Sequence, residues 1–196
     1  MRNPELTKEK ILSKSGKLFN TQGYKATSIS HITDATGLTK GAIYRHFKSK
    51  DDLEKEALYH LSQIMFDAMA ERIKSKNTAP EKLSAVFHFF ETYITNPPVK
   101  GGCPLLNVAI EADDAHPVLR RGALKIMDSI HESLVNILQK GIKYKQIKPS
   151  INKDYYATII IASLEGAIMM SKLRGNNEDI KRVIKHLENL IKEIEL

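Results

Sequence analysis

The sequence predicts an all-α fold of about nine helices, a three-helix N-terminal domain carrying a helix-turn-helix followed by a larger helical domain. Three observations predict it. Apolar residues recur at helical spacing along nearly the whole chain, Gly and Pro punctuate it at helix-length intervals, and no alternating strand pattern occurs. A length of 196 residues suits a small unit over 1–50 and a larger one over 51–196. Hydrophobic residues make up 42% of the chain, enough for a real core, which excludes wholesale disorder.

The elements follow in order. Ile11, Leu12, Leu18 and Phe19 mark a first helix, with Gly23 as its terminator. Thr27 and Ser28 suit an N-cap for a short helix through Ile29, Ile32 and Ala35 that stops at Gly37. Thr39 caps a second short helix from Lys40 to about His46. Ser49-Lys50-Asp51-Asp52 resembles a capping box, opening a long helix that reaches Ile73. Pro80 begins the next, which is expected to run to Asn96 before Pro97-Pro98. A short helix from Pro104 to about Ala112 and a long one from Pro117 to about Tyr144 come next. Asp154–Leu173 and Asp179–Glu195 are the last two, separated by Gly175-Asn176-Asn177.

Charge is segregated. Residues 1–50 hold ten Lys/Arg against three Asp/Glu, while the remainder holds twenty of each, so the net +7 lies in the first quarter. A segment that neutralises phosphates leaves this footprint. A solvated basic tail would share the charge but not the evenly spaced apolar residues. Cys103 is the only cysteine, so no internal disulfide can form, and the first residues lack a signal-peptide core. No apolar run approaches the roughly 18 residues of a membrane span. A cytoplasmic location with no membrane partner is therefore expected.

Ser28 to Phe47 has the arithmetic of a DNA reader. Two short helices meet at a turn holding Gly37, and Ile29, Ile32, Leu38, Ile43 and Phe47 would share a small core with Leu18 and Phe19. Ser30, His31, Thr39, Lys40, Tyr44 and His46 are left for the outside. Gly41 and Ala42, small residues early in the second helix, permit close approach to a major groove.

The pattern Phe19-x-x-x-Gly23-Tyr24-x-x-Thr27-Ser28-Ile29, continued by Gly37-Leu38-Thr39-Lys40-Gly41-Ala42-Ile43-Tyr44-Arg45-His46-Phe47-Lys48-Ser49-Lys50-Asp51-x-Leu53, resembles the TetR family of bacterial repressors over roughly residues 8–55. The resemblance implies a homodimer on a palindromic operator, released by a small ligand held in the C-terminal domain. It implies that Ser28, Tyr44 and Lys50 hold the phosphate backbone and that Ser30, Thr39, Lys40 and Gly41 lie against base edges. His46 would touch the backbone or pack beside it, and Thr27 and Lys48 complete the expected contact set.

Residues 51–196 carry neither a phosphate loop nor a zinc spacing, and no cofactor or metal is expected. Met65, Phe66, Met69, Phe87, Phe90 and Tyr93 could line a cavity with Cys103, Leu106, Ile110, Met127, Ile130 and Leu134. Such residues suit adaptable binding of a small hydrophobic or aromatic effector, though each taken singly is more readily explained as core. Glu111, Asp113, Asp114 and His116 form a cation candidate better read as a solvated acidic loop. His88 reads as a surface histidine, and Cys103 as a small buried hydrophobe or a redox sensor. The segment Gly101-Gly102-Cys103-Pro104-Leu105-Leu106-Asn107, followed by Glu111, looks like one found in a subgroup of the family.

The last two helices read as a dimer interface, through Tyr156, Ile160, Leu164, Ala167 and Ile168 on one and Ile184, Leu187 and Ile191 on the other. No nucleophile–base–orienter set is readable, so an enzyme is not expected. The alternative to a ligand-responsive regulator is a constitutive DNA-binding or structural helical module without a switch.

Overall fold

The computed structural model describes residues 3–91, 93, 95–112 and 116–196. Among these the chain forms nine helices: α1 (Pro4–Gln22), α2 (Ile29–Thr36), α3 (Lys40–Tyr44), α4 (Lys50–Lys74), α5 (Ala79–Glu91), α6 (Pro104–Ala112), α7 (Pro117–Lys143), α8 (Lys153–Arg174) and α9 (Glu178–Ile194). The all-α expectation holds. One end differs: α5 stops at Glu91, five residues short of the expected Asn96. Thr92 and Ile94 lie outside the described residues, while Thr95 and Asn96 have low helix propensity and Pro97 disfavours helix in the residue before it.

By packing, the chain divides into two compact units. One takes Met1–Met65 with Val99–Ile126, the other Phe66–Pro98 with Met127–Leu196, so α4 and α7 each contribute to both.

In the first unit, local chemistry sets the helix ends. The Asn3 side chain accepts the Glu5 amide, Pro4 opens α1, and Gly23 ends it at φ 94°. Ser28 and His31 make a reciprocal capping box on α2, and Gly37 adopts left-handed geometry at φ 66°. Thr39 caps α3 by accepting the Ala42 amide at 3.2 Å. Ser49 accepts the Asp52 amide while Asp52 accepts that of Lys48, each at 3.1 Å, as the capping-box pattern required. Ile11, Phe19, Ile32, Ile43, Phe47 and Leu53 are buried. Tyr24 joins them, its ring stacked on Phe19 at 4.9 Å between centroids. Leu18, Ile29 and Leu38, expected in that core, are only half-buried.

In the second unit, α8 packs on α9, and both pack on α5. The apolar face of α9, Ile180, Ile184, Leu187, Ile191 and Ile194, is wholly buried, as are Ile160, Leu164, Ala167 and Ile168 of α8. This corrects the interface expectation. Seven of its eight residues are core of a single chain, and only Tyr156 is half-buried. α9 fills its apolar face against α8 and α5 of its own chain. The side of α8 left exposed carries Tyr155, Ala162, Met169, Met170 and Leu173. A second correction concerns composition: α8 is, by length and hydropathy, apolar enough to cross a membrane. Of its apolar residues, Ala157, Ile160, Leu164, Ala167 and Ile168 are buried in the helical core just described, while Tyr155, Met169, Met170 and Leu173 are exposed.

His88 sits at half exposure between two carboxylates, Nδ1 2.8 Å from Glu91 and Nε2 3.0 Å from Glu188. The Glu91 hydrogen bond chiefly raises its pKa, with Glu188 adding and partial burial opposing. A raised histidine contributes stability that is full below the unfolded value and lost as pH climbs through the folded one. Wild-type Tm should therefore fall as pH rises from about 6.5 to 8, and His88→Gln should flatten that slope. The effect should stay under about 1 kcal/mol because the imidazole is half exposed. Tm measured across this range for both proteins checks it, and equal slopes would remove His88 as the cause.

Candidate nucleic-acid interface

The residues expected to meet DNA divide into two groups. Ser28, Ser30, Thr39, Lys40, Gly41 and Lys48 are exposed, Tyr44 is 37% exposed, and His46 is half-buried. These lie on α2, α3 and the turns that begin and follow them. Lys40 Nζ stands 6.0 Å from the Tyr44 ring centroid, so cation and phenol share one face of α3. Gly41 has nothing within 4 Å of where a Cβ would stand, leaving the start of α3 open. Lys40, Arg45 and Lys48 form no ion pair among the described residues, so their charges are available to an anion. Arg45, absent from the expected contact set, is exposed where α3 ends and is, with Lys48, one of two cations in the run Tyr44 to Lys48.

Thr27 and Lys50 stand apart. Thr27 is fully buried, and its hydroxyl donates to the Gly23 carbonyl at 2.7 Å. Its place in the motif is explained by holding the turn between α1 and α2. Lys50 is half-buried, and its ammonium donates to the Tyr24 carbonyl at 3.0 Å and pairs with Glu54 Oε1 at 3.0 Å. Of its three N–H donors, one is left for a phosphate.

Glu54 is the other residue missed by sequence reading. It is 2% exposed, held between Lys50 and His116, whose Nε2 lies 2.9 Å from its second oxygen. A Glu four residues after Lys50 on α4 was the available signal. Asp51, Glu54 and His116 bring one donor atom each within 4.8 Å, but Lys50 already supplies positive charge there. The acidic loop is thus split, with His116 facing Glu54 and Glu111 accepting the Tyr24 and Lys25 amides at 2.9 and 3.2 Å. Asp113 and Asp114 lie outside the described residues.

The expected effector residues do not form one class. In the first unit Met65 and Cys103 are buried, Leu106 is half-buried and Ile110 is 69% exposed. In the second, Phe87, Phe90, Tyr93 and Leu134 are buried, Phe66, Met69 and Ile130 half-buried, and Met127 is 41% exposed. The second unit has a cavity of about 610 Å³ that includes Phe87, His88, Arg72 and Glu188. A smaller one, about 400 Å³, is lined by residues outside the expected set, among them Ile73, Ile137 and Tyr144.

Comparison with known proteins bears on this geometry. Residues 11–57 match the family model of bacterial regulatory proteins, tetR family, and residues 79–187 that of the tetracyclin repressor-like C-terminal domain. The HTH-type transcriptional repressor DhaR of Mycobacterium sp. (strain GP1) is 22% identical, covering 90% of this chain and 88% of its own. The HTH-type transcriptional regulator LmrA of Bacillus subtilis (strain 168) is 25% identical, covering 95% and 97%. A TetR transcriptional regulator from Chloroflexus aurantiacus J-10-FL superposes with a TM-score of 0.95 at 34% identity, covering all of both chains. A TetR-family regulator from Cytophaga hutchinsonii gives 0.92 at 32% identity, covering 100% and 98%.

Proposed function

Because the chain belongs to the TetR family of transcriptional regulators, we propose that it is a repressor that binds a palindromic operator as a homodimer and leaves it when a small hydrophobic or aromatic effector binds. The supporting observation is the exposed basic and polar face of α2 and α3, on which Lys40, Arg45 and Lys48 form no ion pair among the described residues, in the quarter of the chain holding the whole net charge. In this reading residues 1–50 bind DNA and residues 51–196 bind effector and partner.

The contacts sort by chemistry. Ser30, Thr39, Lys40 and Gly41 meet base edges, with Lys40 able to donate to guanine O6 and N7. Ser28, Tyr44, Lys48 and the remaining N–H of Lys50 meet phosphates, beside His46 and Arg45. Lys40→Ala should relax base preference at one position per half-site, costing about 1–3 kcal/mol on the preferred sequence. Lys48→Ala should weaken binding to all sequences and reduce the salt slope by about one per protomer. Titrations of a selected duplex and its point variants at several salt concentrations distinguish the two, and identical behaviour would show the contacts wrongly sorted.

For the partner, the reading assigns the exposed side of α8. Tyr155, Ala162, Gly166, Met169 and Leu173 recur at helical spacing, with Leu173 83% exposed and Gly166 open. Apolar ends around small central residues allow two such helices to pack closely. For the effector, the reading assigns the apolar residues of the second unit, Phe66, Met69, Phe87, Phe90, Tyr93 and Leu134. α4 links the two roles by sequence, beginning at the Ser49 cap and continuing for 25 residues, roughly 37 Å of helix. A ligand that shifts its later turns would change the spacing of the recognition helices.

A further inference from the structure

Four residues outside the helix-turn-helix converge on the corner that leads into it. Glu111 on α6 accepts the amides of Tyr24 and Lys25 with one oxygen, at 2.9 and 3.2 Å. Asn107, one helical turn earlier, donates to the Asn20 carbonyl at 3.1 Å and to its side-chain oxygen at 3.0 Å. Asn20 in turn donates to the carbonyls of Lys100 and Gly102 at 2.9 and 3.0 Å. The last turn of α1 and the residues just after it are thereby tied to α6 and to the loop before it.

Two glycines make this approach sterically available. A Cβ on Gly101, at φ 103°, would stand 2.4 Å from the Asn20 backbone oxygen. A Cβ on Gly23, at φ 94°, would stand 2.9 Å from Glu111 Oε1. Gly101 needs glycine twice over, for backbone conformation and for space, while at Gly23 the positive φ is the constraint and a Cβ would push the Glu111 carboxylate aside. This accounts physically for Gly101, Asn107 and Glu111 of the segment singled out in the sequence.

The corner so held is the one that orients the reader. Tyr24 is gripped at both backbone groups, its N–H by Glu111 and its carbonyl by Lys50 from α4. Its ring is buried against Phe19, and its phenol has no hydrogen-bond partner among the described residues. Burial, with Glu54 and Glu111 nearby, pushes that phenol's pKa up, so it stays neutral. Three residues beyond Lys25 lies Ser28, the cap of α2, and Thr27 ties the same corner to Gly23. A carboxylate accepting two amides is stronger than a neutral hydrogen bond, and losing it leaves the partly buried Tyr24 amide unpaired.

We propose that Glu111 and Asn107 of α6 are positioning residues for DNA binding: touching no DNA, they fix the α1–α2 corner that aims α2 and α3. This rests on the operator-binding reading above. The test uses the full chain and a duplex selected from a random pool. Amide exchange is followed at Tyr24 and Lys25, alongside duplex affinity, salt slope and Tm. Glu111→Ala should speed exchange at both amides at least about tenfold and weaken duplex binding about tenfold or more. The salt slope should not change, because no phosphate contact is removed. Glu111→Gln keeps an acceptor oxygen and should recover most of the affinity, and a Glu111→Ala protein whose Tm leaves it fully folded at the assay temperature separates lost positioning from a general loss of stability. Asn107→Ala, with Glu111 intact, should weaken binding in the same direction and serves if Glu111→Ala does not fold. Wild-type affinity in Glu111→Ala despite faster exchange would overturn the positioning role alone, as would unchanged exchange at both amides. A wild-type protein that selects no duplex would overturn the operator reading, and this proposal with it.

Discussion

Leu187→Asp is expected to unfold the chain rather than separate two folded copies. Leu187 is fully buried on α9, in a face completed by Ile180, Ile184, Ile191 and Ile194 and packed on α8 and α5. The change removes a buried leucine and sets a carboxylate among aliphatic side chains with no cation among those named. Losing the leucine contacts costs about 2–5 kcal/mol, and the buried unpaired charge adds several more or forces protonation. Against a total of about 5–15 kcal/mol, the native state should be lost or left marginal at neutral pH. Circular dichroism and thermal melts check this. A folded, monomeric Leu187→Asp protein would restore α9 as an intermolecular surface.

Gly166→Arg should do the opposite, leaving the protomer folded and abolishing tight operator binding. Nothing lies within 4 Å of the Cβ position at Gly166, so the fold accepts a side chain there, and replacing a mid-helix glycine favours α8 by about 0.5–1 kcal/mol. An arginine from each protomer would collide at the centre of the proposed contact, where the helices must come closest. A monomer reads one half-site alone and forfeits the second half-site's contribution, so affinity should fall by at least about 100-fold. Sedimentation and duplex titration are the measurements. A Gly166→Arg dimer with wild-type affinity would remove α8's exposed side from the interface.

The contrast between these two substitutions shows what a single sequence carries. Helix order and caps were legible because they are local chemistry: Ser28, Gly37, Thr39 and Ser49 act on backbone groups within four residues. The basic character of the N-terminal quarter was legible because the chain's net positive charge lies in the first fifty residues. Periodicity reported that Ile184, Leu187 and Ile191 share a buried face, but it does not state which surface covers that face. The committed ammonium of Lys50, the burial of Glu54 and the grip of Glu111 on Tyr24 are contacts set by tertiary packing. Of these, spacing along the chain records only that Glu54 follows Lys50 by four residues on α4. Thr27 illustrates the same limit within the motif itself, where a hydroxyl in a contact-like position spends its hydrogen bond on Gly23.

The central claim is that two copies of the α2–α3 reader bind a symmetric operator. Selection of bound sequences from a random duplex pool by the 196-residue chain is the direct test. The account predicts an enriched palindrome whose half-sites lie roughly 34–36 Å apart, bound by an even number of protomers. Recovery of no enriched sequence, or of a single unrepeated motif bound by one protomer, would contradict it.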